Sequence, residues 1–470
     1  MPSLSRRRFL SVSGAGALSA ALAGCARSGV APGAASGPGS RRPNVLFIIT
    51  DDQRYDSIHA LGTETVQTPH LDALVAGGTA FTNPYIQGGT GGAICISSRA
   101  MILTGRSLWR APDDGKNFPL WPEVLKDAGY TTFGVGKWHN GPAAYARCFT
   151  GGGAIFLGGM TNQRKVPVHD FDPQGKYPKK AERVENRFSS ELFTDTAIGF
   201  LREYKDSKPF LLYLAYTAPH DPRQAPPPYD TMYPPEKIPL PKNFLPEHPF
   251  DNGELRVRDE MLAPFPRTPA AVRKHLADYY ACISYVDAQV GRVLGALRQA
   301  GRADDTIIVF TGDNGLALGQ HGLLGKQSLY EHSVRVPLVM CGPGIPAGRR
   351  CDAFVYNFDI FPTVCEMAGL AIPKTVEGRS LAPVLAGRER AVRDSVFAAY
   401  RGLQRMVRGE RYKLIKYSVK GEKRTQRFDL VEDPWETRDL SAEARYAPQL
   451  TALEDRLKQW QKDTGDKAVF

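Results

Sequence analysis

Four short stretches carry most of the side chains that could do chemistry: Thr50-Asp51-Asp52-Gln53, Gly136-Lys137-Trp138-His139, Thr217-Ala218-Pro219-His220 and Gly312-Asp313-Asn314-Gly315. Each follows an apolar run. Asp51, Asp52, Asp313 and Asn314 offer only oxygen donors, the set a hard cation such as Ca²⁺ or Mg²⁺ prefers, and none of the thiolate or paired imidazole that favours zinc. Either pair alone reads as a turn or a helix cap; two pairs at two strand ends point to a metal. A fifth stretch, residues 93–106, places Cys95 between a Gly-rich loop (Gly88 to Gly92) and a helix start over Ser98–Leu103. There Cys95 either stands at a positive helix end suited to an anion or is a buried small hydrophobe.

The elements that must position these groups follow from the hydrophobic pattern. Short continuous Val/Ile/Leu/Phe runs predict strands at Val45–Thr50, Thr132–Val135, Phe210–Tyr216, Thr306–Thr311 and Pro337–Met340, buried on both faces. They alternate with helical segments at Pro69–Ala76, Trp121–Ala128, Ser189–Tyr204, Lys274–Arg298 and Asp359–Ala368, several closed by glycine. This rhythm predicts an α/β domain with a central, mostly parallel sheet flanked by helices. In such a sheet ligands bind beyond the carboxyl ends of the strands, where the four motifs lie. Gly151–Arg187 and the Pro-rich run from Pro219 to Pro269 break the rhythm as long loops, which usually serve function. After residue 370 short polar strands (Ser395–Tyr400, Gln404–Arg408, Tyr412–Tyr417, Arg427–Leu430) and a helix over Ala447–Lys462 predict a small α+β subdomain with an antiparallel sheet, spanning 371–470.

The chain has 470 residues, 42% hydrophobic and 23% charged, enough apolar material for a sizeable core. Its net charge of +11 includes Arg6, Arg7, Arg8, Arg27, Arg41 and Arg42 from the first 42 residues, which hold no acid; without them +5 remains, too little for a nucleic-acid binder. Residues 1–25, with Arg6-Arg7-Arg8-Phe9-Leu10, an apolar run and Ala23-Gly24-Cys25, resemble a twin-arginine signal ending in a lipobox. That implies the Tat export machinery, a lipid anchor at Cys25 as the sole membrane attachment, and a periplasmic or envelope-anchored location. Residues 26–42 read as a flexible tether. Cys148, Cys282, Cys341, Cys351 and Cys365 leave room for a bridge, with Cys341 and Cys351 the nearest pair.

Cys95-Ile96-Ser97-Ser98-Arg99 with Leu103-Thr104-Gly105-Arg106 resembles the signature of the type I sulfatases, of the alkaline phosphatase-like superfamily. So do Asp51-Asp52, Lys137-Trp138-His139, Ala218-Pro219-His220, Asp313-Asn314, Gly325-Lys326 and Arg335-Val336-Pro337. The resemblance runs from Pro43 to about Leu440, with the catalytic domain over 43–370. It implies that Cys95 is oxidised to Cα-formylglycine by a formylglycine-generating or anaerobic sulfatase-maturing enzyme, and that the aldehyde's hydrate attacks sulfur. Asp51, Asp52, Asp313 and Asn314, with residue 95, would hold Ca²⁺ or Mg²⁺; Arg99 and Lys137 would steady the diol; His220 and Lys326 would protonate the leaving alcohol; His139 would take the proton that expels sulfate. One departure stands out: the family's usual signal is C-x-P-x-R or C-x-A-x-R, and Ser97 holds the third position.

The resemblance implies a sulfuric-ester hydrolase acting on a sulfated carbohydrate, with Arg164, Lys165, Arg187 and Arg223 in the long loops available to anionic sugars, and a small aryl or alkyl sulfate as the alternative substrate. The alternatives are a phosphonate or phosphate ester hydrolase, or, if Cys95 is not matured, a non-catalytic lipoprotein binding sulfated glycans.

Overall fold

The computed structural model describes residues 42–470. The signal, Cys25 and the tether up to residue 41 lie outside the described residues. An eight-stranded sheet forms from β1 (Asn44–Asp51), β2 (Thr79–Tyr85), β3 (Thr131–Lys137), β4 (Gly151–Phe156), β5 (Phe210–Pro219), β6 (Thr306–Gly312), β7 (Leu338–Cys341) and β8 (Arg349–Tyr356), in the spatial order β8-β2-β7-β6-β1-β5-β3-β4. Only β7 pairs antiparallel with its neighbours.

β1 lies near the middle and is buried along its whole length. Its alternate side chains separate into two cores, as the period of a strand requires. Val45, Phe47 and Ile49 pack with Trp121, Leu125 and Tyr145 on one face; Leu46 and Ile48 pack with Leu71, Phe193 and Val290 on the other. The helices Trp121–Asp127, Pro142–Cys148 and Ile360–Met367 cover the first face, and Pro69–Gly77, Ser189–Glu203 and Pro269–Gln299 the second. Phe47 meets Trp121 edge-on at 5.2 Å between ring centroids and Tyr213 at 4.9 Å, linking β1, its neighbour β5 and the covering helix in one aromatic contact. Among the described residues no helix is long and apolar enough to cross a membrane.

All the expected strands are present, with the one from Phe210 running on to Pro219. The unforeseen strands have weaker signatures: β4 opens on three glycines, β8 on two arginines, and β2 carries Asn83-Pro84. β4 and β8 are the sheet's edges, where one side of the ladder needs no partner. β4 and a two-stranded ribbon, Pro167–Val168 with Arg183–Val184, therefore occupy the stretch expected as a loop over 151–187. The helix expected from Lys274 starts at Pro269, where Thr268 caps it by accepting the Ala271 N–H at 3.2 Å and proline takes the first helical position. Cys341 and Cys351 belong to cores on opposite faces of the sheet and are both free, so the expected nearest pair forms no bridge.

After Tyr356 the chain builds the small sheet from β9 (Val396–Tyr400), β10 (Gln404–Arg408), β11 (Tyr412–Val419) and β12 (Glu422–Asp429), all antiparallel. The helix Ala447–Thr464 packs on it through Leu453 and Leu457. The sheet takes a further strand from Gly88–Gly89, parallel to β9. Ala399 N–H donates to Gln87 O at 3.0 Å and Arg401 N–H to Gly89 O at 2.9 Å, so the C-terminal sheet fixes the Gly-rich loop that leads into Cys95.

Gly136 gives β3 its turn toward the site: its φ is +88°, and a Cβ there would lie 2.0 Å from Ala215 O of the paired strand. Backbone cannot yield as a flexible side chain can. Gly136→Ala is expected to cost about 2 kcal/mol or more in urea unfolding, from strain and overlap together; an unchanged midpoint would contradict this packing.

Candidate functional site at the strand ends

β1, β3, β5 and β6 are neighbours and parallel, so their last residues converge on one edge of the sheet. Asp51 ends β1, Lys137 ends β3, His220 follows β5 and Asp313 follows β6. The helix Ile94–Thr104 crosses this edge, with Cys95 in its first turn and Arg99 one turn on. Asp51, Asp52, Cys95, Arg99, Lys137, His220, Asp313, Asn314 and Lys326 are all buried, and His139 is half-buried. All the residues expected at the site are therefore brought together.

Their hydrogen bonds form a chain of opposite charges. Arg99 Nε donates to Asp313 Oδ2 at 2.8 Å and its Nη1 to Lys137 O at 2.9 Å. Asp313 Oδ1 accepts the Asp52 N–H at 3.0 Å. Lys137 Nζ donates to Asp51 Oδ2 at 2.5 Å and Gly159 O at 2.6 Å, and lies 3.7 Å from Cys95 Sγ. Lys326 Nζ reaches both oxygens of Asp52 at 2.7 and 3.0 Å, and Asn314 Nδ2 adds a bond to Asp52 Oδ1 at 2.7 Å. His220 Nε2 stands 3.6 Å from Asp52 Oδ2, while its Nδ1 lies 2.8 Å from Asp221 O. His139 Nδ1 is 3.4 Å from Cys95 Sγ. Asp52 and His139 both adopt positive φ, 65° and 70°, an uncommon conformation for such residues and one concentrated at functional sites. The Asp52 carbonyl is held there by the Tyr279 hydroxyl at 2.9 Å.

Burial alone would raise every carboxyl here, and the neighbours decide the outcome. Against burial, Arg99 and Lys137 hold Asp313 down at about 2, and His220 and Lys326 hold Asp52 below its usual value. At Asp51 burial prevails over Lys137, helped by the charges of Asp313 and Asp52, and raises it to about 6. Burial also pushes the Cys95 thiol up, keeping it protonated and a poor nucleophile. Burial, with Lys137 and Arg99, pushes His139 down to about 3, leaving the imidazole neutral.

Two buried oxygens in this cluster, Asp51 Oδ1 and Asn314 Oδ1, have no hydrogen-bond partner. One oxygen of Asp51, one of Asp313 and the Cys95 sulfur lie within 4.8 Å of one another, as do atoms of Asp51, Asp52 and His220. Unpaired buried oxygens beside carboxylates that crowd together fit a hard divalent cation: it would satisfy them and relieve their repulsion. Cys95 lines a cavity of about 310 Å³ together with His139, His220 and Lys326.

The rest of that cavity had no motif to reveal it. Gly159 and Met160 come from the segment after β4, and Val257, Arg258 and Asp259 from the Pro-rich run. Arg258 is tied bidentately to Asp221, with Nη2 to Oδ1 at 2.8 Å, next to His220. The break in strand-helix rhythm was the sole signal for these segments. Ser97, the departure in the signature, is buried and polar but not stranded: its hydroxyl donates to Asp113 Oδ1 at 3.3 Å and lies 3.2 Å from Thr90 Oγ1. Of the arginines expected to face sugars, Arg187 is instead engaged by Asp195, Glu191 and Glu185.

A family profile described as Sulfatase matches residues 43–370, and one described as N-sulphoglucosamine sulphohydrolase, C-terminal, matches residues 319–463. An N-acetylglucosamine-6-O-sulfatase from Bacteroides thetaiotaomicron is 28% identical over 91% of this chain and 88% of its own. A solved structure of an enzyme with its substrate D-glucosamine-2-N,6-O-disulfate superposes with a TM-score of 0.77 at 26% identity, covering 91% of this chain and 99% of that one. A phosphonate monoester hydrolase from Silicibacter pomeroyi superposes with a TM-score of 0.72 at 25% identity, covering 91% and 96%. With a family profile spanning most of the chain and a site built from the residues its signature names, the chain belongs to the sulfatase family, a family of sulfuric-ester hydrolases.

Proposed function

We propose that this protein removes sulfate from a sulfated saccharide at the cavity over Cys95. The observation that carries the reading is the convergence on Cys95 of Lys137 and His139 from one strand end with the carboxylates of Asp51 and Asp313. The saccharide is supported by the two sugar-sulfate enzymes to which the chain is similar. When present, a divalent cation at Asp51, Asp52, Asp313 and Asn314 would neutralise sulfate charge, and a formylglycine at position 95 would supply a hydrated aldehyde, an oxygen nucleophile where the buried thiol is a poor one. A maturing enzyme would have to supply that oxidation, and the signal-like N-terminus supports export to the envelope before use.

Each protein group has a task its position supports. Lys137, anchored by Asp51, holds the reacting group at residue 95 from one side. Arg99 orients Asp313 rather than facing the cavity. His220 and Lys326 share Asp52 and line the cavity together, where either can deliver a proton to a departing alkoxide oxygen. His139 stands against residue 95, where it is placed to take a proton from that residue.

A second reading, hydrolysis of phosphonate or phosphate esters at the same site, is favoured by the likeness to the phosphonate monoester hydrolase. Steady-state rates on an aryl sulfate and on matched aryl phosphonate and phosphate esters separate the two. The expected kcat/KM is at least about tenfold higher for the sulfate; dominance of either phosphorus ester would overturn the sulfatase assignment. Cys95→Ala is expected to lower kcat about a thousandfold or more, and full activity would refute the site. Chelation with EDTA is expected to lower Tm, Ca²⁺ or Mg²⁺ to restore it, and Asn314→Ala to weaken that restoration about tenfold in cation concentration; a Tm indifferent to chelation would remove the cation from the account.

A further inference from the structure

A second cavity, of about 380 Å³, is lined by the two loops that also line the catalytic one, together with Lys274, Asp278 and Ala281 of the helix Pro269–Gln299. Gly159 and Met160 line the catalytic cavity and Arg164 the second; His220 lines the first, and Arg223 and Gln224 the second. Gln163 ties the loops together: its N–H donates to Gln224 Oε1 at 3.3 Å and its side-chain amide to His220 O at 3.1 Å. Three residues of chain reach at most about 11 Å, so the backbone of Arg223 lies no further than that from His220, about the span of two sugar units.

The arginines of this cavity are only partly engaged within the protein: the Arg223 guanidinium lies 6.0 Å from the Tyr279 ring centroid, and its charge helps to hold Asp221 low. Neither Arg164 nor Arg223 takes part in an ion pair among the described residues. Arg223 places Nη1 3.2 Å from His275 Nδ1, but its Nε and Nη2 are buried and have no hydrogen-bond partner. Buried guanidinium donors are costly to leave unmet and rarely are. Arg164 lies over the Phe188 ring at 5.4 Å, which steadies a plane that can present two donors. Lys274 and Asp278 cancel each other at 2.5 Å, and Asp230 is an exposed carboxylate at the rim, leaving the cavity positive on balance.

We infer that this cavity is a subsite for a second anionic group, a sulfate or carboxylate, on the saccharide unit next to the one that is desulfated. The inference rests on the saccharide reading above, and makes the substrate a polyanionic chain rather than a singly sulfated sugar. Arg223 is its central recognition residue and Arg164 its second.

The test compares a disaccharide sulfated on both sugars with the same disaccharide carrying only the scissile sulfate. The native protein is expected to favour the doubly charged substrate in kcat/KM, and Arg223→Ala to lower that ratio about tenfold, with Arg164→Ala lowering it less. General damage to the enzyme cancels in the ratio. Should Arg223→Ala fail to fold, Arg223→Lys, which keeps charge but loses the planar fork, is expected to lower the ratio severalfold. Calorimetric Kd values of both disaccharides on Cys95→Ala give the same ratio without turnover. A native protein inactive on sulfate esters whose Kd ratio still depends on Arg223 would refute the hydrolase reading alone. A ratio near one in the native protein, or one unmoved by Arg223→Ala and Arg164→Ala, would overturn the subsite.

Discussion

Asp313 is the residue on which the rest of the site depends. One carboxylate oxygen holds Arg99 of the helix that carries Cys95, the other holds the backbone N–H of Asp52 after β1, and the residue itself follows β6. Its carbonyl also accepts the Ser98 hydroxyl at 2.5 Å. Through this one buried side chain the helix, the two central strands and the metal-type carboxylates share a fixed geometry. A buried ion pair of this sort contributes little net stability compared with apolar packing, yet removing one partner leaves an uncompensated charge and costs about 3–5 kcal/mol. Arg99 and Asp313 are both fully buried, so the arrangement reads as one selected for position rather than for stability.

The surrounding fold makes such a cluster tolerable. Two apolar layers, filled by alternate residues of β1 and its neighbours, hold the strands in register, and the strand ends then present Asp51, Lys137, His220 and Asp313 without further adjustment. The C-terminal sheet adds the last constraint by pairing with Gly88–Gly89 ahead of Cys95. Every carboxylate but one oxygen of Asp51 is matched by a Lys, Arg, Asn or backbone donor. That remaining oxygen, with Asn314 Oδ1, is where a cation would complete the balance of charge.

What could be read from the sequence follows from what was local. Continuous apolar runs marked the central strands, and motifs at their carboxyl ends marked the cluster, because a parallel sheet brings such ends together whatever the intervening chain. The edge strands β4 and β8 escaped notice because an edge needs neither burial on both faces nor an apolar run. Gly159, Met160, Val257 and Arg258 escaped because tertiary contacts place them: Lys137 draws in the Gly159 carbonyl, and Asp221 anchors Arg258. The same holds for the three loop arginines and one lysine expected to face sugars: Arg187 is paired within the protein, while Arg164 and Arg223 share one cavity. Cys341 and Cys351, close in sequence, sit on opposite faces of the sheet for the same reason.

Reactivity turns on residue 95, since a buried, protonated thiol between Lys137 and His139 has the position of a nucleophile but not its reactivity. Mass spectrometry of the tryptic peptide that ends at Arg99, from protein made in a host with a competent maturation system, addresses this directly. An aldehyde, or its hydrate, is expected in place of the Cys95 thiol in a large fraction of the chains. An unmodified thiol throughout would contradict it.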